Sequence, residues 1–163
     1  MRILLIGASG TIGKAIAATL SGSHEVLAAS RSRSSYAADI GDPGSLKALF
    51  AQVGKVDAVI SAAGQAAFRP LADLTDADFA LSLGNKLMGQ VNVVRFGFVA
   101  ITDGGSVTLT SGSLAHRPMP GSGAVSLVNA GLEGFARAAA LEAPRRFGSM
   151  WSARGGSGKR WWR

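Results

Sequence analysis

The chain contains no cysteine, which excludes disulfides and thiolate metal sites and fits a reducing, cytoplasmic address. Histidine is almost missing as well. His24 and His116 stand alone, and two isolated imidazoles make no metal-ligand cluster. Tyrosine occurs once, at Tyr36. No apolar run reaches the ~20 residues that a membrane-spanning helix needs, and residues 1–20 lack a signal-peptide cleavage pattern, so no membrane role is expected.

Acidic residues are absent from one end only. Of the 17 basic residues, six (Arg145, Arg146, Arg154, Lys159, Arg160, Arg163) follow Pro144 with no carboxylate among them. The body, with the other 11 against 10 acidic residues, carries +1 of the net +7. A nucleic-acid surface would spread its charge over a folded face, so no nucleic-acid partner is expected. The terminal stretch RRFGSMWSARGGSGKRWWR also holds all three tryptophans and differs in kind from what precedes it.

What is present is a chain of 163 residues, 47% hydrophobic, enough for one domain with a real core. Strand and helix signals alternate along it. RILLIG (2–7), HEVLAAS (24–30), the shorter YAADI (36–40), VDAVISAAG (56–64) and GSVTLTSG (105–112) have strand character. Helical spacing marks 14–22, 43–53, 74–100 and 122–142. Near-continuously apolar strands separated by helices predict an α/β fold, a parallel sheet covered on both faces.

The stretch GASGTIG, residues 7–13, falls between the first strand and the first helix with glycines spaced GxxGxxG. Glycine is required where the chain turns sharply, lays backbone N–H groups on a pyrophosphate and packs helix closely on strand. Gly7, Ser9, Gly10, Thr11, Ile12 and Gly13 are therefore the expected phosphate-binding residues. At the end of the second strand, NAD would call for a carboxylate to bind the ribose 2′-hydroxyl. Ser30, Arg31, Ser32 and Arg33 stand there instead, cations and hydroxyls suited to a 2′-phosphate, which favours NADP over NAD.

With these motifs the chain resembles the short-chain dehydrogenase/reductases over residues 1–143. GASGTIG, Asp39-Ile40 after the third strand, SAAG at 61–64 where that family has NNAG, and TSGS closing the fifth strand carry the likeness. So does NAGLEGFARAAALE, which matches the helix following the family's catalytic lysine. The resemblance implies a Rossmann-type doubly wound sheet and a homodimer formed through helices near 84–100 and 122–141. It implies that Asp39 bonds the adenine amine, that Ile40 flanks the ring, and that Ala62, Ala63 and Gly64 run along the adenosine ribose. Oxidoreductase chemistry on a small carbonyl or alcohol would follow.

The family's acid/base pair is missing. Counting back from GLEGF, its tyrosine position is Val125 and its lysine position Asn129. Lys86 stands where the family has a helix asparagine three residues before a glycine, with Asn85 beside it. Ser113 falls at the catalytic serine, and Ser111 is a close alternative. Ser113, Lys86 and Asn129 are thus the candidate catalytic residues, a desolvated lysine being able to hold or release a proton. KLMGQVN and TSG also resemble a smaller, atypical branch in which the tyrosine motif is missing as a rule. An inactive NADP(H)-binding or sensing protein is the alternative.

The domain is expected to span 1–143, and 144–163 reads as a tail in place of the family's last strands. Met150-Trp151 can be encoded only as ATGTGG, and the shifted frame forces a valine there. Permitted codons of the neighbours allow the family-like strand Arg-Val-Asn-Val-Val-Ser-Pro in that frame. A single-base frameshift near Arg145 is the hypothesis this raises, and resequencing across codons 140–163 tests it. Its expected consequences are a poorly ordered tail and a fifth strand left as an unpaired edge.

Overall fold

Six parallel strands in the order β3-β2-β1-β4-β5-β6 form the sheet of the computed structural model, which describes residues 1–32, 34–143 and the backbone of 149–153. At its centre β1 (Arg2–Ile6) pairs with β2 (Glu25–Ser30) on one side and β4 (Val56–Ser61) on the other. Leu4 and Leu5, successive residues pointing to opposite faces, are both fully buried, as a strand covered on two sides requires. The short β3 (Tyr36–Ala37) closes one edge, and β5 (Ile101–Thr110) continues the sheet beyond β4.

From β1 the chain moves outward one way through α1 (Thr11–Leu20), then the other way through α2 (Pro43–Val53), α4 (Met88–Gly97) and α5 (Gly123–Glu142). Right-handed crossovers in opposite directions put these helices on opposite faces. The order reverses between β1 and β4, and a crevice opens there at the carboxyl ends of the strands.

Local chemistry sets the helix starts. Asp42 accepts a hydrogen bond from the Gly44 N–H at 2.8 Å, with Pro43 opening α2. Thr75 and Asp78 form a reciprocal capping box at α3 (Asp76–Leu81). The stretch 74–100, expected as one or two helices, forms α3, a π-helical turn (Ser82–Leu87) and α4. The widened turn lies in the segment that carries Asn85 and Lys86, and such turns recur at functional sites.

One expectation is corrected. The fifth strand is not an unpaired edge: β6 (Ser149–Ala153) pairs parallel with it, Ser106 opposite Ser149 through Thr110 opposite Ala153. Ladder bonds use backbone N–H and C=O groups, so the exposed edge of β5 can recruit an extended segment whatever its side chains. The expectation of a poorly ordered tail otherwise falls on residues 144–148 and 154–163, outside the described residues. Among the described residues no helix is long and apolar enough to cross a membrane.

Candidate nucleotide site and the adjoining polar cluster

The glycine turn brings β1, α1 and β4 closer together than side chains would permit. Gly7 has φ +89°, and a Cβ on it would lie 2.6 Å from the Ala62 carbonyl oxygen. A Cβ on Gly13 would lie 2.0 Å from the Gly7 carbonyl oxygen. The Gly10 N–H donates to that same carbonyl at 3.0 Å and closes the turn. Gly10 is the N-cap of α1, without a side-chain cap, and the first turn carries no acidic residue. The N–H groups of Thr11, Ile12 and Gly13 stand at the positive end of the helix dipole, an electrostatic setting for phosphate.

In front of this turn is a cleft of about 290 Å³ whose walls include Gly7, Ser9, Gly10, Ser30, Arg31, Ser32, Asp39, Ile40, Ala62, Ala63 and Gly64. Residues from four separate stretches of sequence therefore meet in one place. Thr11, Ile12 and Gly13 sit in the first turn of α1 rather than in the cleft wall, and Arg33 lies outside the described residues. Ser30 is buried, and its hydroxyl bonds the Ser32 carbonyl and the Ser34 hydroxyl, tying down the loop that presents the exposed Arg31. Asp39 accepts from the Gly41 N–H at 2.9 Å. A second cavity of about 560 Å³ shares Ser9 and Ser32 and brings in Lys14, a cation the sequence did not single out because nothing in its spacing ties it to this loop.

Asn85 also joins the cleft. Its Oδ1 accepts from the Gln65 N–H at 2.8 Å, which ties the π-helical turn to the loop after β4. Lys86, next in sequence, lays its stem against that loop: a Cβ on Gly64 would lie 2.9 Å from Lys86 Cγ. Burial there lowers the lysine pKa from its usual value, since desolvation penalises the charged form.

Beyond β4 lies a polar cluster. Gln90 on α4, fully buried, donates to the Thr110 carbonyl and accepts from the Thr110 N–H, both at 3.0 Å, and so fixes the end of β5. Ser111 follows immediately, and its hydroxyl donates to Glu133 Oε1 at 2.9 Å and lies 3.3 Å from the Asn129 carbonyl. His116 Nε2 is 2.6 Å from Glu133 Oε2. Asn129 is buried, and its Oδ1 has no hydrogen-bond partner among the described residues. Its Nδ2 presses on the chain where a Cβ on Gly112 would come within 2.8 Å.

Ser113, by contrast, is exposed at the start of a 3₁₀ turn (Ser113–Ala115), and no hydrogen bond joins it to Lys86 or Asn129 among the described residues. Of the two serines open from sequence, Ser111 is the one turned toward α5. Glu133 and His116 were missed because an isolated glutamate and an isolated histidine, 17 residues apart, carry no motif. Among the described residues no group of acidic and imidazole side chains could hold a metal ion.

The profile of a family described as Enoyl-(Acyl carrier protein) reductase matches residues 7–147. The structure of the protein lin1944 from Listeria innocua superposes with a TM-score of 0.90 at 40% identity, covering 94% of this chain and 78% of that one. A small-chain dehydrogenase in complex with NADPH superposes with a TM-score of 0.81 at 28% identity, covering 88% and 65%. Hydroxynaphthalene reductase arp2 of Aspergillus fumigatus is 32% identical over 93 residues, 57% of this chain. That match spans about a third of the fungal enzyme, 34% of its length. Glycine turn, strand order and family profile agree, and the chain belongs to the short-chain dehydrogenase/reductase family of oxidoreductases.

Proposed function

We propose that the protein is an NADP-dependent oxidoreductase that moves hydride to or from a small carbonyl or alcohol substrate. The observation that carries this is the meeting, in one cleft, of the glycine turn, the Ser30-Arg31-Ser32 loop, Asp39-Ile40 and the Ala62–Gly64 backbone. The close approaches at Gly7 and Gly13 fit a backbone cradle for pyrophosphate, with the α1 N-terminus as its positive end. Arg31 and Ser32 would hold the 2′-phosphate, with Lys14 behind them, and Asp39 and Ile40 the adenine. When bound, the dinucleotide supplies the hydride, and the protein contributes orientation and proton handling.

Lys86, Asn129 and a serine are the residues we assign to the chemistry. Lys86 Nζ holds a proton that burial makes easier to release, and its charge attracts a developing oxyanion. Because Ser113 faces outward, Ser111 is our choice for the hydroxyl at the strand end. The second reading, a binding or sensing protein, is favoured by Val125 and Asn129 at the positions of the family's tyrosine and lysine. Incubation of the protein and NADPH with a panel of aldehydes, ketones and quinones separates the two. Oxidation of NADPH supports the enzyme; tight binding with no oxidation supports the sensor.

NADPH should bind about tenfold or more tightly than NADH, since a charge-assisted phosphate contact contributes about 1.5 to 3 kcal/mol. Calorimetric titration of both cofactors checks this, and Arg31→Ala should narrow the gap. Equal affinities in the parent would remove the case for NADP.

A homodimer, in a reducing cytoplasmic compartment, completes the proposal. Leu127 on α5 is 49% exposed and Met88 at the start of α4 42%, apolar side chains on helices a twin could cover. Light scattering at micromolar concentration should give twice the chain mass, and Leu127→Asp should shift it to the monomer. A parent that runs as a monomer would count against the pairing.

A further inference from the structure

Glu133 is a carboxylate inside the protein, its side chain 6% exposed, in a helix whose other inward residues are mostly small and apolar. Burying such a group is costly unless its oxygens are bonded. Both are: Oε1 accepts from Ser111 at 2.9 Å and Oε2 meets His116 Nε2 at 2.6 Å. The two ends of this chain of contacts differ. The His116 side chain is 45% exposed and open to water. Ser111 lies at the other end, just past the carboxyl end of β5. The β4–β5 register pairs Ser61 with Leu109, so the segments that leave these two strand ends, one carrying Ala63 of the nucleotide cleft wall and the other Ser111, start side by side. Asn129, one helical turn before Glu133, sets its unpartnered Oδ1 in the same region.

We propose that His116, Glu133 and Ser111 form a proton relay that carries a proton from solvent to the end of β5, in place of the tyrosine and lysine positions occupied by Val125 and Asn129. The proposal rests on the oxidoreductase function above and names the proton route of that same site. In the reducing direction hydride forms the new C–H bond at the carbonyl carbon, and the C=O π pair passes to oxygen. That oxygen takes the Ser111 hydroxyl proton. The imidazolium Nε2–H of His116 protonates the Glu133 carboxylate, which in its acid form returns a proton to Ser111 Oγ, and His116 is reprotonated by water. No further oxidant or reductant enters, and oxidation of the alcohol runs the same steps backwards. Lys86 remains the charge facing the substrate oxygen. Other charged groups on the elements packed against α5 are Lys86 in the π-helical turn, Arg95 on α4 and Arg117 after the 3₁₀ turn. A pin holding the 3₁₀ turn to α5 would need one of these bonds, whereas a relay needs both.

Three measurements test this. Glu133→Gln preserves the shape of the carboxylate but cannot pass a proton, and should lower hydride transfer about a hundredfold, the lower range for a lost acid/base group, with NADPH affinity unchanged. The pH dependence of kcat/KM in the parent should flatten in this variant. His116→Ala should lose about tenfold or more, with recovery on adding imidazole, which can reach the open end; the same imidazole should not rescue Glu133→Gln. In cofactor-free protein, nitrogen-15 NMR of His116 should show a slowly exchanging Nε2–H signal that disappears in Glu133→Gln and moves in Ser111→Ala. A His116 signal indifferent to Ser111→Ala, or undiminished hydride transfer in Glu133→Gln, overturns the relay. A parent inactive toward every carbonyl overturns the oxidoreductase function instead, and the NMR comparison still decides whether the three groups are coupled.

Discussion

Gly13→Ala should weaken NADPH binding about a hundredfold or more and lower the melting temperature by about 10 °C. The new Cβ would stand 2.0 Å from the Gly7 carbonyl oxygen and 2.8 Å from Ala8 Cα, both backbone atoms with no rotamer to escape into. The turn itself must move. Overpacking in a tight site costs roughly 1–3 kcal/mol, and about 3 kcal/mol is close to a hundredfold in affinity when the displaced groups are the ones that meet the ligand. The same penalty in a chain of this length shifts the melting point by about 2–4 °C per kcal/mol. Gly7→Ala should act similarly, with the added strain of a non-glycine residue at φ +89°. Gly22→Ala is the control, since nothing lies within 4 Å of a Cβ there. Titration calorimetry and thermal unfolding read the two effects separately. A Gly13→Ala protein that folds normally and binds NADPH as the parent does would show that the turn is not the phosphate cradle.

The ease with which this turn could be found in sequence reflects what fixes it. Glycine is demanded by backbone geometry within seven residues of chain, so Gly7, Gly10 and Gly13 are legible without any tertiary knowledge. The same holds for the apolar strands: RILLI is buried because both faces of the sheet are covered, and its composition already says so. The pairing of β6 was not legible. Residues 144–163 look foreign by composition, yet a parallel ladder is made by backbone groups, and the open edge of β5 exerts its demand regardless of the side chains offered. The polar cluster was hidden for a different reason. Glu133, His116 and Ser111 are brought together by a long loop and a helix, and no local spacing encodes that approach. The absence of Glu133 and His116 from the expected catalytic set, and the outward placement of Ser113, both follow from family positions ceasing to mark the site once the family's own pair has been replaced.

Lys86→Met should abolish measurable turnover, by about a hundredfold or more for a lost charge at the developing oxyanion, while NADPH affinity stays within about threefold, because Lys86 is not among the cleft walls at the glycine turn and the Ser30–Ser32 loop. Methionine keeps much of the apolar stem that packs on Gly64, so the loop after β4 should hold its place. Stability should change in the opposite direction from activity. Burial lowers the Lys86 pKa in the folded chain, so the native state releases this proton at a pH where the unfolded lysine, with an ordinary value near 10.4, still holds it. Across that window the unfolded state binds more protons and stability rises with pH. Below it both states are charged, and the folded protein bears the full desolvation penalty. The methionine variant lacks that penalty and should be more stable than the parent at neutral pH, with the gain fading as pH rises toward the ordinary lysine range. Denaturant unfolding at several pH values, beside turnover and calorimetry, checks all three parts. Retained turnover would remove Lys86 from the chemistry. Lost NADPH binding would make it a cofactor anchor, held against Gly64 to shape the cleft rather than to face the substrate.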